Sequence, residues 1–478
     1  MAVAIKPHPI YLAGRWAESP EVLNIGNPAG GEPAGATYNA TAEQYEEAVA
    51  AAVSAFEETR RLPAYERAAA LRHISAGIAQ RREELGRLIT LESGKPIGEA
   101  LVEVDRAVLT FRLGAEEAER IHGELIPLDL MASSRGRVAV TRRFPLGPVA
   151  AISPFNFPLN LAAHKVAPAI AAGDPVFLKP PSKDPLTMLT VAEIIDGAGL
   201  PKGAVSILPM SRALGDRMVA DERFKLLTFT GSPAVGWRMK ERAGKKRVVL
   251  ELGGNAGVIV DQSADLEWAV KRTLAGGFAY AGQVCVSVQR VFVQRGIYEV
   301  FLDRFIAGAR DLRVGDPLDP ATQLGPMVDE QSAMRTESWV REAEQLGGKV
   351  LLGGRAQGSL FPPTVLVDTP MTAQVCSNEA FAPLVVVFPF DDFGDALAMV
   401  NDSFYGLQAG VFTNDLVHSW QAFNELQVGG VIINDVPIYR IDHMPFGGAK
   451  DSGLGREGLR WSVEDMTELR LMVVAQPA

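Results

Sequence analysis

The sequence predicts an α/β protein built on two parallel sheets, each covered by helices on both faces, with a hairpin that belongs to neither. Three observations lead there. From Pro148 onward, short apolar strands alternate with helical stretches, the rhythm of a doubly wound parallel sheet. The rhythm starts again after Asp261. At 478 residues the chain is also too long for one ordinary domain of ~100–200 residues, so two or three are expected.

Residues 1–40 are short strand-like pieces broken by Gly and Pro turns. Thr41 with Glu43 and Glu46 reads as a helix N-terminal signal, and apolar residues recur at helical spacing through Ala55. Further helices are predicted over 64–93 and 97–121, with charged residues on their solvated faces. Residues 124–130 and the alternating stretch 137–143 read as a hairpin. Two strands alone are marginal in water, so this one needs a sheet or a second subunit to lean on. Then come strand 149–153, a helix from about 159, strand 175–179, helix 186–197, strands 205–208 and 226–230, helix 233–243 and strand 247–250. A second unit begins near 255 with helix 266–279, strand 290–294 and helix 298–309. It continues with helix 334–346 and strands 384–388 and 431–434.

Composition narrows the class. Apolar residues make up 47% and charged residues 22%, a globular balance. A net charge of −10 argues against nucleic acid as a partner. There is no uncharged apolar run of ~20 residues, so no membrane span is expected, and no signal-peptide core stands at the N-terminus. The two cysteines, Cys285 and Cys376, form no disulfide framework, and a reducing, cytoplasmic setting is expected. No metal site is expected. Cys376 reads as a buried residue without a role.

In open α/β sheets ligands sit where strands end and helices begin. Four such turns carry chemistry. In Ser153-Pro-Phe-Asn-Phe-Pro158, Asn156 is bracketed by prolines, so its amide is a fixed donor suited to an oxyanion, or else it closes an Asx turn. In Lys179-Pro-Pro-Ser182, the lysine ends a strand and suits a hydroxyl or phosphate; solvent exposure is the plain alternative. In Thr228-Phe-Thr-Gly-Ser232, the helix start and the Ser232 hydroxyl suit a pyrophosphate, with capping as the alternative. In Leu250-Glu-Leu-Gly-Gly254, Glu251 suits a general base or a salt bridge. Gly453-Leu-Gly-Arg-Glu-Gly458 fits the GxGxxG spacing, but no strand precedes it and it is rejected as a dinucleotide fingerprint. Finally, Cys285 in Gly282-Gln-Val-Cys285 lies at an element boundary and is a candidate nucleophile.

These turns, in this order, closely resemble the aldehyde dehydrogenase superfamily, as do Asn378-Glu-Ala-Phe-Ala-Pro383 and Pro445-Phe-Gly-Gly448. The resemblance runs from about Leu12 to Met472. It implies a Rossmann-like dinucleotide-binding domain (1–122 and 146–253), a catalytic domain (254–447) and a small β oligomerisation arm (123–145 and 460–478), assembled as a homodimer or homotetramer. It implies oxidation of an aldehyde to the carboxylic acid. Cys285 would be the nucleophile, and the Asn156 amide with the Cys285 backbone N–H would hold the oxyanion. Glu251 would activate the hydrolytic water, with Lys165 in a proton relay.

For the cofactor, NAD or NADP, the resemblance implies Lys179 at the adenosine ribose and Ser232 at the pyrophosphate. Glu379 would meet the nicotinamide ribose with Phe381 beside it. Ile152, Ser153, Pro154, Phe155 and Asn156 would line the cleft with Pro181, Gly215, Thr230, Gly231 and Leu252. Many NAD-preferring relatives carry Glu where this chain has Ser182, followed by Lys183, so NADP should be accepted; Arg212 is a further candidate beside it. Within the family the chain resembles lactaldehyde dehydrogenases and non-phosphorylating glyceraldehyde-3-phosphate dehydrogenases. Arg440 is the first candidate for a substrate anion, with Arg106 and His164 behind it, and a structural interface role is an equal alternative for each. Val284 stands where some glyceraldehyde-phosphate enzymes have arginine, which favours lactaldehyde or a semialdehyde. Coenzyme-A-acylating and non-catalytic members of the fold are the competing readings. Glu251 argues against the first, and Cys285 with Glu251 against the second.

Overall fold

The computed structural model describes residues 6–475. Its first sheet has eight strands, in spatial order Arg15–Ala17, Ile10–Leu12, Val205–Ile207, Val176–Lys179, Val149–Ile152, Leu226–Thr230, Arg247–Glu251 and Gly453–Leu454. The central five are parallel, and the outer pairings are antiparallel. Val149–Ile152 and Leu226–Thr230 are neighbours, and the strands that follow each of them run off in opposite directions. A crevice opens at the carboxyl ends of such a pair. The Ser153–Pro158 and Gly231–Ser232 turns leave from those ends.

The inner strands are continuously apolar because both faces are covered. Helix Asn160–Ala172 is buried at every position, and its run of alanines permits close approach to the sheet. His164 and Lys165 are therefore carried into the interior.

The second sheet has seven strands, in order Lys349–Leu352, Thr364–Val367, Leu384–Phe390, Val288–Gln294, Ala256–Val260, Gln408–Phe412 and Gly430–Ile433. All pairings are parallel except the first. A third sheet pairs Leu125–Pro127 with Arg137–Pro145 and that strand with Thr467–Ala475 in an unbroken antiparallel register. Of the described residues, no helix is long and apolar enough to cross a membrane.

Several boundaries differ from expectation. The stretch 64–93 is two helices, Ala64–Gln80 and Arg82–Ser93, because Arg81 leaves the helical region. The capping box of helix Ala42–Thr59 joins Thr41 to Gln44, not to Glu46, since only the third helical residue reaches back to the cap N–H. The helix expected at 334–346 begins earlier, as Glu330–Gln345, because Asp329 caps it. Helix Leu459–Asp465 does not join the arm: Leu459, Val463 and Met466 are buried in the core of the first sheet.

Candidate active site

Helix Leu266–Phe278 stops short of the nucleophile turn. Tyr280 and Ala281 take positive φ values of 44° and 51°, and Gly282 follows at 67°. A side chain at Gly282 would stand 1.9 Å from the Ala382 carbonyl oxygen, so only glycine fits. The turn delivers Cys285 partly exposed, packed by Val286, Leu407 and Phe446. Burial pushes its thiol up to about 12, with the Glu379, Glu251 and Glu457 carboxylates adding and Arg440 opposing. The resting group is therefore a neutral thiol, and attack needs a proton acceptor.

Asn156 and Glu251 reach the same place from the first sheet. The Asn156 amide donates to the Gln283 carbonyl at 3.0 Å, two residues before the nucleophile. Glu251 ends its strand almost wholly buried, and among the described residues neither of its oxygens has a partner. Burial and then Glu457 raise its carboxyl well above the ordinary range, while Arg440, Lys165 and Arg456 oppose. A carboxylate of raised basicity suits taking a proton from a thiol or a water.

Behind these groups lies a buried charge cluster. The Lys165 ammonium donates to Glu457 at 3.0 Å, to Thr230 at 2.7 Å and to Thr228 at 3.1 Å. Glu457 also accepts from Arg440 at 3.2 Å. Burial opposes its ionisation, but Lys165, His164 and Arg440 outweigh it and hold Glu457 down to about 2. Asp442 is a second hub, accepting from Arg106 at 2.7 and 3.2 Å, from Asn160 at 3.0 Å and from His164 at 2.9 Å.

The three candidates for a substrate anion thus differ. Arg106 has its fork, and His164 its Nε2–H, committed to Asp442. Arg440 has only the long contact to Glu457 and a 3.2 Å approach to the same His164 nitrogen, which cannot accept while it donates to Asp442. Burial and then Arg440 press His164 below its usual pKa, with Asp442 and Glu457 opposing. Among the described residues the Arg440 Nε is buried and unpartnered, and the guanidinium lies 3.9 Å over the Phe446 ring.

The crevice of the first sheet fits a dinucleotide. Ser232 makes no side-chain capping bond, although helix Pro233–Arg242 starts beside it, and its exposed hydroxyl stands at the helix start. Among the described residues the Ser153 hydroxyl is buried without a partner. Glu379 is held by the Gly254 N–H at 3.1 Å, and burial pushes its carboxyl up to about 7, opposed by that N–H and by Arg335. The Phe381 and Phe155 rings meet edge to face, 5.8 Å apart. Burial and then Arg212 lower the Lys179 ammonium, so two cations stand close at the far end of the crevice. Ile152, Pro154, Pro181, Gly231 and Leu252 stand at or just past the carboxyl ends of the first sheet's parallel strands, and Gly215, on helix Arg212–Ala220, has the Lys179 side chain against it.

Two expectations change. Lys183 is ion-paired with Asp329 across a surface groove and is not free for a phosphate. Thr230 spends its hydroxyl on Lys165 and belongs to the charge cluster. Sequence reasoning also missed Glu457, Asp442 and Arg335. Glu457 sits inside the rejected GxGxxG stretch, whose Gly453–Leu454 pair edges the first sheet. A cavity of about 940 Å³, lined in part by Arg106, Phe157, Ala279 and Ile438, opens beside the Asn156 and nucleophile turns.

The sequence pattern of the Aldehyde dehydrogenase family matches residues 16–472. A 3-sulfolactaldehyde dehydrogenase from Priestia aryabhattai is 41% identical over 471 residues, covering 98% of each chain. The crystal structure of aldehyde dehydrogenase 21 from Physcomitrella patens, in complex with the reaction product succinate, is 45% identical, covers 99% of both chains and superposes with a TM-score of 0.97. Glyceraldehyde-3-phosphate dehydrogenase GapN from Methanocaldococcus jannaschii, complexed with NADP, is 38% identical with a TM-score of 0.92, covering 95% of this chain and 99% of that one.

Proposed function

This chain belongs to the aldehyde dehydrogenase family and is an oxidoreductase that uses NAD or NADP; we propose that its substrate is a short aldehyde bearing an anionic group, oxidised through Cys285 to the acid. The Cys285 thiol gives up its proton to solvent, and the sulfur bonds to the aldehyde carbon. The Asn156 amide and the Cys285 backbone N–H hold the oxyanion of the tetrahedral thiohemiacetal. The chemistry supplied by bound NAD or NADP is hydride acceptance, which leaves a thioester on the sulfur. The ionised Glu251 carboxylate then deprotonates a water. The water oxygen bonds to the carbonyl carbon, the carbon–sulfur bond breaks, and the acid leaves.

The observation that carries the substrate class is Arg440. It lies near enough to Cys285 to oppose the rise of its pKa, is buried, and is short of partners. Lys165, Arg440, Arg106 and Arg456 stand around Glu457, Asp442 and Glu251, and burial works against ionisation of Glu251, so a substrate anion would meet a cation-rich cluster. The sulfonated and dicarboxylate molecules named with two relatives are anions of this kind. Lysine at 179, Ser182 and Arg212 support use of NADP. The apolar arm supports a homo-oligomer.

A panel of short aldehydes with each cofactor tests this. Succinic semialdehyde and 3-sulfolactaldehyde should exceed lactaldehyde and butanal in kcat/KM by roughly tenfold or more, the worth of a charge-assisted hydrogen bond. Arg440→Met should erase that margin. Equal rates for charged and neutral aldehydes would refute the anion reading.

A further inference from the structure

Lys95 lies outside every turn discussed so far, yet it is a fully buried charge at 0% exposure. Its ammonium ion-pairs with Glu103 and donates to the Asn156 carbonyl oxygen at 2.7 Å. It also lies 3.9 Å over the Phe157 ring and 4.5 Å over the Tyr280 ring. Each of these partners stands under the chemistry. Asn156 and Phe157 form the oxyanion turn from the first sheet. Tyr280 is the first left-handed residue of the nucleophile turn beside the second sheet. The other Glu103 oxygen accepts the N–H groups of Leu159 and Asn160 at 2.9 and 3.1 Å, at the start of the helix that carries Lys165.

The same corner grips Tyr280 twice more. Its N–H donates to Glu99 at 3.1 Å, and its hydroxyl donates to the Ser93 carbonyl at 2.9 Å. A strained turn persists only where its surroundings over-determine it, and here they do. The direct hydrogen bond between the two catalytic turns is that of the Asn156 amide to Gln283, beside an edge-to-face contact of Phe157 with Tyr280 at 6.4 Å. That amide is the group expected to serve the oxyanion. A second tie is needed if the amide is to turn toward substrate without the turns drifting apart. The Lys95 ammonium supplies one, holding residue 156 by its backbone and Tyr280 by its ring face.

We infer that Lys95 is a positioning residue for the oxyanion donor, joining the Asn156 turn to the nucleophile turn through Glu103 and Tyr280. Removing a buried ion pair whole is tolerated far better than stranding one partner. The test therefore uses Lys95→Met with Glu103→Gln, alone and combined with Asn156→Ala. The inference rests on Asn156 as the oxyanion donor, and Asn156→Ala by itself checks that first: wild-type hydride transfer in that variant would remove the assignment and the inference together.

If Lys95 acts through Asn156, the paired substitution should slow single-turnover hydride transfer by about 10- to 100-fold, as misplacing one donor does. Cofactor affinity should stay within about twofold. In the Asn156→Ala background the same pair should cost less than about threefold, because the two changes share one effect. An equal loss in both backgrounds, or no loss in either, would overturn the positioning role while leaving Asn156 in place. Should the paired variant fail to fold, Tyr280→Leu in the same two backgrounds decides by the same two outcomes.

Discussion

Glu457 sets the acid–base balance of the site. Burial raises the carboxyl of Glu251 most and Glu457 adds to it, while Arg440, Lys165 and Arg456 lower it. Glu251 must lose its proton to act as a base, so thioester hydrolysis should rise with pH through the Glu251 pKa. Glu457→Gln removes an anion and loosens two cations, and both changes favour the charged carboxylate. The acid limb of single-turnover hydrolysis should therefore move down by about one pH unit, equivalent to about 1.4 kcal/mol. Arg440→Met should move the limb up. A limb that stays put in both variants would contradict this account. Cys285, Asn156 and Glu251 could be singled out in the sequence because each stands at a strand end or turn, but only the order of those turns, through the family resemblance, gave them expected roles. Glu457 could not, because what makes it catalytic machinery is Lys165, nearly 300 residues away in the chain and visible only once helix Asn160–Ala172 is packed. Lys183 misled for the matching reason: its partner Asp329 is also remote.

The strand-to-helix turns place these groups, and their glycines can be told apart by what a side chain would strike. At Gly282 it would meet backbone, so Gly282→Ala should abolish the folded enzyme. At Gly253 it would stand 2.1 Å from the end of the Glu379 carboxylate, which can swing away. Gly253→Ala should therefore keep the melting temperature within about 2 °C, the shift of less than 1 kcal/mol in a chain this size, while raising the cofactor KM several-fold. A large stability loss with an unchanged KM would reverse that assignment. The alternation of apolar strands and helices made both sheets readable, since a strand buried on two faces has no other sequence signature. The break at Arg81 was hidden because helical periodicity continues across it. Helix Leu459–Asp465 was assigned to the arm by its position in the chain, whereas its apolar side belongs to the first core.

Across the molecule, the arm presents an extended apolar strand to water. Strand Thr467–Ala475 edges its sheet and exposes Leu469, Leu471 and Val473 at 55%, 60% and 49%. Long apolar edges of this kind are normally covered. Leu471→Asp with Val473→Asp should yield a smaller species by light scattering without lowering the stability of the protomer; an unchanged mass would place the interface elsewhere. The two sheets bring Cys285, Asn156 and Glu251 together, and the proposed chemistry forms and breaks one thioester there. Glu251→Gln should form it and fail to hydrolyse it. Mixed with cofactor and succinic semialdehyde, quenched in acid and digested, this variant should show the acyl mass on the peptide that contains Cys285, with a full first turnover of reduced cofactor. Reduced cofactor without that adduct, or an adduct on another residue, would contradict the account.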